Sequence, residues 1–128
     1  MKILIAEDSI LIRILLVKLF EEKLNFTVVA QANNGVEAIE MYNEYLPDLI
    51  TLDINMPVLN GIEALKTILK NHPSAKVIII SALKQNDDII TALELGAKAY
   101  ITKPIMFEDP DYINQFKEDV FDALGISQ

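Results

Sequence analysis

The chain has 128 residues, of which 52% are hydrophobic, so it can close one compact core, and we expect a single domain over residues 1–128. Its formal net charge of −8 argues against direct binding to nucleic acid, because phosphate contacts dominate that affinity and would be repelled. The sequence contains no cysteine, which excludes a disulfide framework, a thiolate zinc site and a thiol nucleophile, and favours a reducing compartment such as the cytoplasm.

The N-terminal segment predicts neither a signal peptide nor a membrane anchor. Its short apolar run meets Glu7 and Asp8 at once and lacks a small-residue cleavage site. The most apolar segment, Ile10 to Phe20, contains Arg13 and Lys18 and is shorter than the roughly 20 residues that a membrane-spanning helix needs. We therefore expect a soluble, cytoplasmic protein with no membrane partner.

Apolar runs of strand length alternate five times with stretches of helical period, and no Gly/Ser/Pro-rich linker or internal repeat interrupts them. This alternation predicts an α/β fold in which a doubly wound, five-stranded parallel sheet is covered by helices on both faces. In chain order, the predicted elements are strand Lys2 to Ala6, helix Ile10 to Lys23, strand Phe26 to Ala32, helix Gly35 to Tyr45, strand Asp48 to Asp53, helix Gly61 to Asn71, strand Lys76 to Ser81, helix Asp87 to Leu95, strand Lys98 to Ile101 and helix Asp111 to Leu124.

The first and the last predicted helix each carry an apolar stripe at helical spacing. We predict that both stripes face the core rather than a cofactor. Asp109 as N-cap with Pro110 at the first helical position gives the last helix a clear start, and Gly125 gives it a clear end. The stripes consist of Ile10, Ile14 and Val17 on the first helix, and of Ile113, Phe116, Val120 and Leu124 on the last.

Polar side chains follow four of the five predicted strands. In an open α/β sheet, ligands bind beyond the carboxyl ends of the strands, so these side chains are the candidates for a functional site. The turn after the second strand is an ordinary AsnAsnGly entry into a helix. The candidates are Glu7 and Asp8 after the first strand, Asp53 at the end of the third, Ser81 at the end of the fourth, and Thr102, Lys103 and Pro104 after the fifth.

The charges of these candidates indicate a metal site. Three carboxylates held close together repel one another, and at least one protonates unless a cation lies among them. All the donors are hard oxygens without a His or Cys cluster, which favours Mg²⁺. Mg²⁺ bridges readily to phosphate, so a site that also holds Lys103 and Ser81 suits a phosphoryl group. Asp53, central in the site, is the predicted nucleophile.

Four motifs, in this order and spacing, are typical of one family: IAEDS; LDINMP followed by NGIEAL; IIISAL; and AYITKP. On these motifs the chain resembles, over essentially its whole length, the receiver domain of two-component response regulators, including the chemotaxis-type single-domain members. The resemblance implies a flavodoxin-like fold with strand order 2-1-3-4-5. No effector domain follows in the 128 residues, so we expect a stand-alone regulator.

The resemblance also implies a role for each site residue. Asp53 is the expected phosphoacceptor, which receives a phosphoryl group from the phosphohistidine of a sensor histidine kinase or phosphotransfer protein. Asp8 would bind Mg²⁺ directly, together with Asp53 itself. Glu7 would act through a metal-bound water, and the main-chain carbonyl of Asn55 would complete the protein ligands. The protein is expected to catalyse only its own phosphorylation and dephosphorylation, and not to be an enzyme for another substrate.

Further residues would hold and transmit the phosphoryl signal. The resemblance implies that Lys103 and Ser81 hold phosphoryl oxygens, with a cis peptide between Lys103 and Pro104. Tyr100 occupies the switch-aromatic position and would move with Ser81.

A protein target is expected on the face formed by the fourth helix, fifth strand and fifth helix, near Ile90, Tyr100 and Phe107. Residues Ile105 to Pro110 form a longer and more acidic approach to the last helix than the family pattern, which affects this face.

The lifetime of the phosphorylated state is expected to depend on Asn55 and Leu83, which flank the phosphoryl group. Leu83 cannot orient a water molecule, so we expect slow autodephosphorylation, and faster loss of phosphate in Leu83→Glu.

Three other functions compete with this interpretation. A flavodoxin-like FMN module would need a Ser-, Thr- and Gly-rich phosphate loop after the first strand, where this chain is acidic. A phosphatase similar to the haloacid dehalogenases would need a second Asp two residues after Asp53, where Asn55 stands. A pseudo-receiver that serves only as an interaction scaffold would not need the five residues Glu7, Asp8, Asp53, Ser81 and Lys103 together.

Overall fold

The computed structural model describes residues 1–82 and 86–126, so Leu83 lies outside the described residues and its predicted effect stays a prediction. Strands and helices alternate along the chain as predicted. The strands are β1 (Lys2–Ala6), β2 (Thr27–Ala32), β3 (Leu49–Asp53), β4 (Val77–Ser81) and β5 (Ala99–Thr102). The helices are α1 (Ile10–Lys18), α2 (Gly35–Tyr45), α3 (Gly61–Asn71), α4 (Asn86–Leu95) and α5 (Pro110–Leu124), and a π-helical segment (Leu19–Lys23) continues α1.

The five strands form one parallel sheet in the order β2-β1-β3-β4-β5, which confirms the predicted flavodoxin-like topology. Every residue of β3 and β4 is buried, because helices cover both faces of the sheet. The buried side chains form two clusters, one on each face of the sheet. One cluster includes side chains of α2, α3 and α4, and the other includes side chains of α1 and α5.

Side chains at the N-caps start four of the helices just beyond the sheet. The side-chain oxygens of Ser9, Asn34, Asn60 and Asp109 each accept a hydrogen bond from a main-chain N–H in the first turn of α1, α2, α3 and α5, respectively. Caps of this kind satisfy main-chain donors that have no partner within the helix. They fix where each helix begins, and therefore fix the loops that carry the candidate site residues.

The predicted continuous helix to Lys23 is wrong in detail, because its last five residues are π-helical. Leu19 and Phe20 are both completely buried, as Leu16 is one turn earlier.

Other element ends differ from the prediction by one residue, which is the ordinary uncertainty at element ends. One of these shifts makes Thr102 the last residue of β5, paired in register with Ser81.

The predicted buried stripe of α1 is also wrong. Ile10 and Ile14 are 66% and 50% exposed, and Val17 is only partly buried. The face that packs against the sheet instead carries Leu16, with Ile12 and Leu15 partly buried beside it. The stripe of α5 is confirmed, since its four predicted residues are all buried. Among the described residues, no helix has the length and apolar character to cross a membrane.

Candidate functional site

The carboxyl edge of the sheet brings three acidic side chains together. β1 and β3 are neighbours, and Ala6 pairs in register with Leu52, so the residues that follow these two positions meet at one edge. One carboxylate oxygen from each of Glu7, Asp8 and Asp53 lies within 4.8 Å of the other two. Glu7 and Asp53 are buried, whereas Asp8 is exposed. The structure therefore contains the acidic cluster at the edge where the sequence predicted it.

Lys103 reaches this cluster from β5 across the end of β4. Its Nζ lies 2.9 Å from Oε1 of Glu7 and 3.3 Å from Oδ2 of Asp53. Its main-chain N–H donates to the carbonyl of Ser81 at 2.8 Å, which continues the β4–β5 pairing beyond Thr102. The peptide bond between Lys103 and Pro104 is cis, as the family resemblance implied.

Ser81 ends β4 between the strands that carry Asp53 and Lys103. Its side chain is completely buried, and its hydroxyl has no hydrogen-bond partner among the described residues. Burying a hydroxyl without a partner is unfavourable, so the Ser81 hydroxyl is free to donate a hydrogen bond to an acceptor placed at this edge. A phosphoryl oxygen at the carboxyl edge would be a suitable partner.

The electrostatics of the site favour an additional cation. Burial, followed by the negative charge of Glu7, raises the pKa of Asp53 to about 7, although Lys103 acts in the opposite direction. The pKa of Lys103 is also raised: burial alone lowers it, but the hydrogen bond to Glu7 and the charges of Asp53 and Glu7 outweigh burial. One ammonium group is therefore not enough to keep Asp53 fully ionised at neutral pH. The donors are carboxylate oxygens, which fit a hard divalent cation.

The loop after β3 is held tightly against the site. The N–H of Asn55 donates to Oδ1 of Asp53 at 3.3 Å, and the N–H of Gly61 donates to the carbonyl of Ile54 at 2.9 Å. A Cβ atom at Gly61 would lie 2.2 Å from the carbonyl oxygen of Asp53, so only glycine permits this approach. The first residue of α3 thus packs directly on the backbone of the predicted phosphoacceptor.

Arg13 was not singled out by the sequence reasoning. Its Nη1 donates to the main-chain carbonyl of Glu7 at 2.7 Å and to Oδ1 of Asn33. The only available signal was a single cation inside the otherwise apolar run ILIRILLV. That run predicts a helix, but it does not predict which acceptors the guanidinium reaches.

Tyr100 lies on β5, with a side chain that is 45% exposed. It lines a groove of about 610 Å³ between β5 and α5. Phe107, which was expected on the same face, does not line this groove, and the Nζ of Lys23 lies 5.3 Å above its ring. The other lining residues include Leu93, Lys98, Tyr112, Gln115 and Asp119.

Comparison with known proteins agrees with this geometry. The family model described as the response regulator receiver domain matches residues 3–112. The chemotaxis protein CheY of Listeria monocytogenes is 43% identical over 104 residues, which are 81% of this chain and 87% of that protein. The residues matched by the family model include all those of the site.

Solved structures of similar proteins have the same fold. The response regulator domain of CheB from Thermotoga maritima superposes with a TM-score of 0.85 at 35% identity, and the match covers 100% of this chain and 98% of that chain. A CheX–CheY–BeF₃–Mg²⁺ complex from Borrelia burgdorferi superposes with a TM-score of 0.84 at 32% identity, and the match covers 94% of this chain and 87% of that chain.

Proposed function

The chain belongs to the response regulator receiver domain family, and on this premise we propose that it accepts a phosphoryl group on Asp53 in two-component signal transduction. The observation that carries the proposal is the position of Asp53, buried at the end of β3 beside the Nζ of Lys103. The donor is the phosphohistidine of a sensor histidine kinase or a phosphotransfer protein. An Asp53 carboxylate oxygen forms a bond to phosphorus, the donor's P–N bond breaks, and its electron pair remains on the imidazole nitrogen.

Mg²⁺ is the proposed cofactor, and the residues present fit it. Asp8, Asp53 and the main-chain carbonyl of Asn55 would bind the ion directly, and Glu7 would bind one of its waters. When bound, Mg²⁺ would neutralise the carboxylates and bind phosphoryl oxygens. The raised pKa of Asp53 supports this role, since an additional positive charge favours the ionised carboxylate that the reaction needs. The similar CheY from Borrelia burgdorferi was solved with Mg²⁺ and BeF₃, which also supports it.

The chain's own side chains perform the remaining tasks. Lys103, whose ammonium already faces Asp53, holds a phosphoryl oxygen and balances its charge. The Ser81 hydroxyl, buried and without a partner among the described residues, holds another oxygen. The reaction is the chain's own modification and its reversal, with no separate substrate, so the protein is not an enzyme in the usual sense.

The output of the phosphorylated protein is a change in affinity for a protein partner. The proposed surface is the α4–β5–α5 face, where Ile90 on α4 is 54% exposed and Tyr100, which lines the groove, is 45% exposed. Drawing the Ser81 hydroxyl toward the phosphoryl group would favour an inward position of Tyr100 and change this surface. Only a few kcal/mol of differential interaction are needed for such a population shift. The CheX bound to CheY in the Borrelia burgdorferi complex supports a protein partner.

We propose that the domain occupies residues 1–128, because α5 extends beyond residue 112 and buries Phe116 and Val120 against the sheet. Direct contact with nucleic acid is not part of the proposal, given the net charge of −8. The cytoplasmic location expected from the sequence stays a prediction.

Intact-mass spectrometry tests the proposed function. The wild-type protein, incubated with Mg²⁺ and a small phosphodonor, is expected to gain one phosphoryl group that is labile in acid and in base. Asp53→Asn is expected to gain none. Equal modification of the two proteins would move the acceptor to another residue. No modification of either would favour the pseudo-receiver, which is a pure interaction scaffold.

A further inference from the structure

Arg13 joins two of the loops that surround the acidic cluster. Its Nη1 donates to the carbonyl of Glu7 in the β1–α1 loop (residues 7–9), and to Oδ1 of Asn33 in the β2–α2 loop (residues 33–34). We propose that Arg13 is a positioning residue for the cation site, which holds the β1–α1 loop in the geometry that lets Asp8 bind the metal. This inference rests on the proposed function, because it concerns the same Mg²⁺ site.

The backbone and the side chain of Glu7 are both held in place. Its N–H donates to the carbonyl of Ala32 at 3.0 Å, and its carbonyl accepts from Arg13 at 2.7 Å. Its carboxylate contacts the Nζ of Lys103 at 2.9 Å and accepts from the N–H of Ser9 at 3.1 Å. Of these four interactions, only the hydrogen bond from Arg13 acts on the peptide unit between Glu7 and Asp8.

That peptide unit places the Cα atom of Asp8. The carbonyl of Glu7 belongs to the plane that also contains the N–H and Cα of Asp8, so fixing the carbonyl fixes the position of that Cα. The N–H of Ser9, held by the carboxylate of Glu7, limits the rotation of the backbone on the other side of Asp8. Asp8 is exposed, unlike Glu7 and Asp53, so packing contributes little to its orientation. Arg13 therefore supplies a constraint on the one ligand of the cluster that lacks burial to hold it.

The position of Arg13 is itself supported by a second layer of hydrogen bonds. Asn33, its side-chain acceptor, donates from both its main-chain N–H and its Nδ2 to Oε1 of Glu37, at 2.8 and 3.1 Å. In the next residues, the N–H of Gly35 donates to the carbonyl of Leu59 at 3.0 Å, in the loop that follows Asp53. Through these contacts, the loops after β1, β2 and β3 support one another.

The contacts of Arg13 indicate orientation rather than charge neutralisation. Its described hydrogen bonds go to a main-chain carbonyl and a side-chain amide oxygen, and within residues 1–82 and 86–126 no ion pair joins it to the three acids. Arg13 therefore does not occupy the carboxylates of Asp8 and Asp53. Partners of this kind, which hold ligands without touching the metal, typically change metal affinity by 10- to 100-fold when they are removed.

Isothermal titration calorimetry with Mg²⁺ alone tests the proposal, with no phosphodonor present. Arg13→Ala is expected to bind Mg²⁺ about tenfold more weakly than wild type, and Arg13→Lys is expected to recover part of the loss. Lys18→Ala is the matched control, because it removes an equal charge from the exposed end of the same helix and should bind Mg²⁺ as wild type does.

Asn33→Ala provides a second, milder variant, since Asn33 is exposed and its removal leaves the core intact. It is expected to weaken Mg²⁺ binding in the same direction, and the double variant with Arg13→Ala should lose less than the sum of the two effects. Wild-type affinity in both single variants would overturn the positioning role while leaving the proposed function standing. A wild-type protein that binds no Mg²⁺ at millimolar concentration would overturn the proposed cation site itself. Urea unfolding in EDTA, measured in parallel, separates a loss of affinity from a loss of folding.

Discussion

Lys103 lies 3.3 Å from Asp53, although Asp53 ends β3 and Lys103 follows β5, two strands that are not neighbours in the sheet. β4 separates them, and its last residue is Ser81, so three consecutive strands each place one polar group around the same point. A carboxylate, a hydroxyl and an ammonium in this arrangement can surround a phosphoryl group from three sides. This relationship depends on the order of the strands and on the length of the lysine side chain.

Replacing Lys103 with methionine is expected to slow phosphorylation. Lys103→Met keeps most of the apolar stem but removes the only ammonium that contacts Glu7 and Asp53 in the described part of the chain. The pKa of Asp53 should rise further, and we expect the phosphorylation rate at pH 7 to fall roughly a hundredfold. Lys66→Met, which removes an exposed lysine paired with Glu63, should leave the rate unchanged. A rate in Lys103→Met close to that of wild type would contradict the assigned role.

The stability of the metal-free protein is expected to depend on pH through Asp53. The folded protein holds a proton on Asp53 up to a pKa of about 7, whereas an ordinary aspartate releases it near 3.8. Between these values the folded state binds more protons than the unfolded state, so this contribution to stability is present below about pH 4 and is lost as the pH rises towards 7.

Asp53→Asn removes this pH dependence, and we expect it to be more stable than wild type by roughly 1–3 kcal/mol at pH 8 in EDTA, with little difference at pH 4. Urea unfolding at the two pH values measures the effect. Added Mg²⁺ should stabilise the wild type more than the variant, because it binds the ionised carboxylate. Equal stabilities of wild type and Asp53→Asn at pH 8 in EDTA would show that the surroundings of Asp53 do not raise its pKa.

Ser81→Ala is expected to separate phosphorylation from output. The variant should still accept a phosphoryl group on Asp53, but Tyr100 should no longer respond to it. NMR of the Tyr100 ring, with BeF₃⁻ and Mg²⁺ as a phosphoryl mimic, should show a large shift in wild type and a small one in the variant. Thr51→Val is the matched control, since Thr51 also has a buried hydroxyl without a partner in the described structure but lies two residues before Asp53. A full Tyr100 response in Ser81→Ala would require another route for the signal.

Val58→Gly is expected to stabilise the protein by about 1 kcal/mol. Val58 has φ 69°, which is unfavourable for a β-branched residue, and it forms a tight turn in which the N–H of Leu59 donates to the carbonyl of Pro57 at 2.7 Å. Its side chain is 80% exposed, so little burial is lost. Val36→Gly, at an exposed position in the first turn of α2, should instead destabilise the protein slightly, because glycine has the lower helix propensity. Urea unfolding of both variants measures whether their free energies of unfolding change in opposite directions.

The sheet and the acidic cluster could be predicted because burial leaves a clear trace in the sequence. β3 and β4 are buried on both faces and are apolar at nearly every position, so an acid or a hydroxyl at their ends stands out. The exposed face of α1 could not be predicted for the opposite reason. Ile10 and Ile14 are as apolar as the buried Leu16, so periodicity alone could not separate the two faces.

The contacts of Arg13 were beyond prediction because its acceptors are a main-chain carbonyl and a neighbouring loop amide. Every residue has a carbonyl, so residue type gives no sign of which one a guanidinium will reach. The π-helical segment could not be predicted either, because Leu19 and Phe20 suit an ordinary α-helix equally well. These features depend on how elements pack, which local sequence does not encode.

The position of the site residues along the chain affects how the protein folds during synthesis. All three acids lie within the first 53 residues, on or just after β1 and β3, whereas Lys103 follows β5. A nascent chain emerges from the ribosome with its N-terminal part first, so the central strands are available while their ammonium partner is still being made. β5 is therefore the last strand to be made. It completes the edge of the sheet, and Lys103, which follows it, balances the charge of Glu7 and Asp53. Asp53, buried in the complete fold, therefore gains both its neighbouring strand β4 and the charge of Lys103 only after the first half of the chain has been made.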